Sequence, residues 1–170
     1  KGAVFERAMM HAIYQQFRSG EVSLSAMFGL EKIGLPSFFS SPATLIDPVQ
    51  NQSFSRFCCV DDGENESYAN FQLKYLQKKQ EAPFGRSRSH NYEGEDLFFV
   101  VTVNPNEEKV ILVKCQFKWL PNCRQGYDEV FPSAVEKKST SAHPIHLADN
   151  QYCLRLVVIF HYDKRCHSSK

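Results

Sequence analysis

One stretch limits what this chain can fold into more than any other. Leu97-Phe98-Phe99-Val100-Val101-Thr102-Val103 and Val110-Ile111-Leu112-Val113-Lys114-Cys115-Gln116-Phe117-Lys118-Trp119 are rich in β-branched and aromatic residues. Between them lies the turn Asn104-Pro105-Asn106-Glu107-Glu108-Lys109. Two such runs around a Pro/Asn turn predict an antiparallel hairpin. If Val103 pairs with Lys109, Asp96 falls opposite Gln116. Directly opposed residues share a face, with Cβ atoms ~5 Å apart. Alternation then adds Lys118 to that face. An Asp, a Gln and a Lys would meet at one end of an apolar ribbon. A slip of one residue would send Asp96 to the other face.

The flanking chain supplies the covering layers. Residues 3 to 18 predict a helix, with Glu6, Met10, Ile13 and Phe17 along one stripe. An acid at the head of that stripe has two readings. It is a first-turn carboxylate favoured by the helix dipole, or a functional acid aimed into a cleft. A second helix is expected over residues 22 to 33, capped by Ser23 or Ser25 and ended by Gly34-Leu35-Pro36. Phe38 to Gln52 reads as loop and Ser53 to Val60 as a short strand. Residues 66 to 80 carry Tyr68, Phe71 and Tyr75 at helical spacing, with Lys74, Lys78 and Lys79 near the end. Those lysines suit the negative pole of the helix dipole without any ligand. Ala82 to Glu95 reads as a mobile basic loop bearing Arg86, Arg88 and His90. After the ribbon come a turn at 121 to 127, a short helix at 128 to 138 and a loop through 150. Gln151 to Tyr162 is a strongly apolar strand. The order is α-α-β-α-β-β-(α)-β, a mixed α/β domain with a central sheet and flanking helices.

The chain has 170 residues, enough for a single domain over 1–170. A net charge of +1 selects no partner class, and no apolar run approaches the length of a bilayer span. Lys1-Gly2 in place of an initiator Met points to a piece of a longer chain, with other domains as possible partners. Cys58, Cys59, Cys115 and Cys153 sit in or beside apolar strand-like runs, where reduced cysteine packs as a small hydrophobe. The expectation is an intracellular protein of nucleus or cytoplasm. The sequons Asn51-Gln52-Ser53 and Asn65-Glu66-Ser67 argue weakly against that. The cysteines and histidines show no zinc spacing. There is no Gly-rich phosphate loop and no nucleophile elbow.

Glu6 on a helix, Asp96 at the head of a strand and Gln116-Phe117-Lys118 in the next strand resemble the core of the PD-(D/E)XK, or restriction-endonuclease-like, nuclease superfamily. The start Lys1-Gly2-Ala3-Val4-Phe5-Glu6 is similar to nuclease-like domains of Crinkler and transposon-linked eukaryotic proteins. The resemblance implies an α-β-β-β-α-β core and a Mg²⁺- or Mn²⁺-dependent endonuclease acting on DNA more than RNA. Asp96, Gln116 and Glu6 would hold the metal. Lys118 would position water and offset developing charge. Lys114, Arg86, Arg88, Lys78 and Lys79 would contact backbone phosphates. The chain departs from the pattern at Gln116, a neutral ligand. It departs again at Gly94-Glu95-Asp96, where the family has Pro before Asp. Glu95 would compete with Asp96 if the register slipped. The rival expectation is a non-catalytic α/β module that binds protein or nucleic acid through the basic loop. On that rival, Asp96, Gln116 and Lys118 belong to an ordinary sheet edge.

Overall fold

The computed structural model describes residues 2–48, 59–61, 67–86, 95–103, 108–120 and 145–161. Helix α1 (Gly2–Ser19) and the short α2 (Leu24–Phe28) are followed by a 3-10 turn (Ser37–Ser40) and strand β1 (Ala43–Leu45). Strand β2 (Cys59–Asp61), helix α3 (Tyr68–Leu76) and strand β3 (Phe84–Arg86) come next. Strands β4 (Leu97–Val103), β5 (Lys109–Leu120) and β6 (Gln151–His161) complete the order. The expected short helix at 128 to 138 and the turn before it lie outside the described residues.

The sheet runs β2-β3-β4-β5-β6, and β1 pairs with β4 beyond the end of β3. The β4–β5 hairpin has the predicted register, from Leu97 opposite Cys115 to Val103 opposite Lys109. β6 lies parallel to β5 over its whole length. Alternation in β4 and β5 divides the core into two layers. Leu97, Phe99, Val101, Val103, Ile111, Val113 and Cys115 face α1 and join Met10, Ile13, Tyr14 and Leu24. Phe98, Val100, Val110 and Leu112 face α3 and pack on Phe71, Tyr75 and Leu76. The predicted helical stripe holds. Met10 and Ile13 are buried, Phe17 packs against the same cluster, and Phe17 and Phe99 meet edge to face.

Several local expectations change. The second helix stops at Phe28, because Gly29 takes the left-handed conformation (φ 64°) and the Leu30 N–H closes on the Ser25 carbonyl. That is the αL exit glycine permits at little cost. Ser23 is its cap, accepting from the Ala26 N–H. Ser67 caps α3 in the same way, accepting from the Asn70 N–H. The stretch 38 to 52, expected to be loop, contains β1. The stretch 82 to 95, expected to be a mobile basic loop, contains β3. Both strands are three residues long, too short for a period to show. β3 also depends on a close approach. The ring of Phe98 lies over Gly85, so a Cβ there would run into the ring edge.

Candidate functional site

The α3-facing layer is apolar only towards the turn end of the hairpin. Beyond Leu112 the same face of β5 carries Lys114 and then Gln116. Both are sheltered; Gln116 is 5% exposed. Their surroundings come from the chain just before β4. The Asp96 N–H donates to the Cys115 carbonyl at 2.9 Å. One step further the Phe117 N–H donates to Asp96 Oδ2 at 2.6 Å. The carboxylate thus continues the ladder where the backbone of β4 leaves it. A β5 donor without a strand partner would otherwise be stranded at the ribbon's end. Asp96 therefore lies beside Gln116, as the register predicts, with its carboxylate turned to the β5 backbone.

Glu95 curls in the other direction, into the α3 layer. Its Oε1 lies 2.7 Å from the Lys114 ammonium and accepts from Gln72 Nε2 at 3.4 Å. Gln72 is buried on α3, and Glu95 is 9% exposed. Two opposite charges out of water are tolerable only when paired and hydrogen-bonded, and this pair is both. Sequence reasoning admitted Glu95 only through a register slip. The register does not slip, and Glu95 enters the polar cluster by a bend at Asp96 instead. The signal available in the sequence was Lys114, a lone cation in an otherwise apolar run that needs a buried counter-ion.

The remaining candidates are spread over the sheet. Glu6 is half-buried on α1, and the neighbouring ring of Phe5 meets Phe117 edge to face at 5.8 Å. Phe117 belongs to the α1-facing layer, so α1 approaches β5 from the side opposite to Gln116. Lys118 is fixed in the backbone opposite Ile159. Arg86 ends β3 at the Asp96 end of the sheet, half-buried. Continuing the β3–β4 register sets it beside Leu97, in alternation with Phe84 on the α1-facing side. Arg88 lies outside the described residues. Lys78 is bound to Glu108 at 2.6 Å, and Lys79 is exposed beside it. Glu108 precedes Lys109, so this pair sits at the turn end of the ribbon. That is roughly 26 Å along the strand from Gln116. The structure thus brings Asp96, Gln116, Lys114 and Glu95 together and leaves Lys78 and Lys79 at the far end.

Two thiols report on the same region. Cys115 lies between Lys114 and Gln116 but on the α1-facing side. Burial, and then the Asp96 carboxylate, push its pKa up to about 12. Cys153 on β6 is also raised, by burial first, although the residue as a whole is exposed. Lys114 and Arg155 pull it down, and Glu95 pushes it up. Both thiols are free.

Among the described residues no three His, Cys, Asp or Glu side chains form a metal cluster, and no helix is long and apolar enough to cross a membrane. No protein-family model matches the chain, and no curated protein or solved structure does either.

Proposed function

We propose that the chain is a restriction-endonuclease-like domain that binds nucleic acid at the Asp96 end of the ribbon. It hydrolyses phosphodiester bonds with Mg²⁺ or Mn²⁺, and DNA is the preferred substrate. The observation that carries this reading is the 2.6 Å bond from the Phe117 N–H to Asp96 Oδ2. It fixes a carboxylate beside the buried Gln116, in the strand pair the resemblance requires. The adjacent antiparallel β3, β4 and β5, with β6 parallel to β5, support the same reading; α2, β1, β2 and α3 stand between α1 and β3 in the chain.

The donor chemistry suits a hard divalent cation, which takes one or two carboxylates, carbonyl oxygens, water and substrate phosphate. Asp96 and the Gln116 amide oxygen would hold it. Such an ion polarises a phosphoryl oxygen and makes water a stronger nucleophile. Lys118, two residues past Gln116, is assigned to the water and the phosphate. Glu6 rises from the other layer, so it joins only by reaching round the end of the sheet.

Supercoiled plasmid with Mg²⁺ or Mn²⁺ provides the test. Nicking that stops on adding EDTA is expected. Asp96→Asn keeps an oxygen for the Phe117 N–H while removing the charge. It and Lys118→Ala should each slow cleavage at least ~100-fold, the scale of losing one preorganised charge-stabilising group. Absence of nicking, or metal-dependent nicking untouched by both substitutions, would overturn the proposal. The Glu95–Lys114–Gln72 cluster favours one alternative, because it satisfies a cation internally. On that alternative the domain binds nucleic acid or protein without cleaving. Metal-independent binding without nicking would identify it.

A further inference from the structure

The parallel register of β5 and β6 sets Lys114 directly opposite Arg155. Leu154 and Leu156, on either side of Arg155, are buried in the α1-facing core. Alternation therefore turns Arg155 to the α3-facing side, the face of Lys114 and Gln116. Arg155 is exposed there, at the outer strand of the described sheet. Glu95 holds the Lys114 ammonium at 2.7 Å. The charges on Lys114, Glu95 and Arg155 all act on the thiol of Cys153, which lies one side-chain row away on β6. A forked guanidinium on an exposed strand, next to a held ammonium and a buried amide, matches two oxygens of one phosphate.

We propose that Arg155 is a phosphate-contacting residue of this domain. It seats a backbone phosphate of nucleic acid on the α3-facing side of β5 and β6, beside Lys114 and on the approach to Asp96 and Gln116. Glu95 is the positioning residue that holds Lys114 at that seat. The inference rests on the nucleic-acid reading above and adds a subsite to it.

The test is fluorescence anisotropy of the whole chain with a short labelled duplex, in EDTA, over a series of salt concentrations. Without metal the measurement reports binding and is blind to cleavage. Arg155→Ala should weaken binding about fivefold to tenfold and reduce the slope of log affinity against log salt by about 1. Arg155→Lys should restore the slope, since a charge remains, and only part of the affinity. Lys32→Ala removes an exposed cation just after α2 and should change neither. Thermal melting should be unmoved by Arg155→Ala. If it is not, Arg155→Gln makes the same comparison with a long polar side chain retained. Wild-type affinity and slope in a folded Arg155 variant would overturn the subsite and leave the nuclease reading standing. A wild-type chain that binds neither duplex nor single strand would overturn the nuclease reading, and the subsite with it.

Discussion

The two faces of the β4–β5 ribbon are built to different standards. Towards α1 the apolar row is unbroken, from Val103 through Val101, Phe99 and Leu97 on β4 and from Ile111 to Cys115 on β5. Towards α3 it stops halfway: Phe98, Val100, Val110 and Leu112 are apolar, and Lys114, Gln116 and Glu95 follow. The same two strands, with the same register, supply both rows. The difference is therefore in the side chains and not in the backbone. A buried ion pair is a weak source of stability, since desolvation offsets most of its attraction. An apolar continuation of the α3 row would fold at least as well. On the proposed function, the polar half of that face serves what it contacts rather than what it holds together.

The comparison can be broken first at its apolar halves, where effects are largest. Phe98 and Phe99 are adjacent, fully buried and on opposite faces. Phe98→Ala and Phe99→Ala should each cost ~3–5 kcal/mol in urea unfolding, because a large ring leaves a cavity in a packed layer. Nearly equal losses would show that both layers belong to one cooperative core. Gly85 adds a check on the α3 side. Gly85→Ala drives a Cβ into the Phe98 ring and should cost ~1–3 kcal/mol. In a Phe98→Leu background that penalty should shrink. An unchanged penalty would mean the strain arises elsewhere.

The polar half comes next. Glu95→Ala leaves the Lys114 ammonium sheltered without its partner, and should cost about 2–4 kcal/mol. The double variant Glu95→Leu with Lys114→Met replaces the pair by apolar groups and should return to within ~1 kcal/mol of wild type. Its duplex binding should nevertheless fall. A double variant as unstable as Glu95→Ala would mean the pair is structural, and the contrast between the faces would lose its meaning.

Much of this was readable from residues alone. Val103 opposite Lys109 followed from two long alternating runs around a short turn, and Asp96 beside Gln116 followed from that register. The stripe of Met10, Ile13 and Phe17 followed from helical periodicity. Three-residue strands such as Ala43–Leu45 and Phe84–Arg86 carry no period, and they form only because β4 offers an edge on which to pair. The inward turn of Glu95 depends on a bend at one residue. The alignment of Lys114 with Arg155 depends on a parallel crossover, whose register no local pattern encodes. The separation of Glu6 from Gln116 by the thickness of the sheet is likewise invisible until the layers are assigned. Charges that a sequence scatters over forty positions can share one face, and charges that a motif groups can lie on two.

The finest test of the two faces uses one thiol from each strand of the parallel pair. Cys115 sits in the α1-facing layer and is fully buried, and its pKa is raised from an ordinary value of 9.0 to about 12. Cys153 sits on the α3-facing side of β6, and its residue is exposed. In the native chain at pH 8, iodoacetamide should label Cys153 long before Cys115, because the thiolate is the nucleophile. Peptide mass spectrometry reads the order directly. The same shift fixes a sign for stability. The folded state keeps its Cys115 proton at pH values where the unfolded chain has lost it. The contribution is therefore fully present below pH 9 and declines as pH rises from there towards 12. At pH 10 the loss should be about 1.4 kcal/mol, one pKa unit's worth. Cys115→Ala should flatten that part of the decline. Asp96→Asn should lower the folded pKa by removing the second cause of its rise, so the decline should end at a lower pH and be smaller. Equal labelling of the two thiols would place Cys115 at an open face and erase the distinction between the layers at the very residues that flank the candidate site.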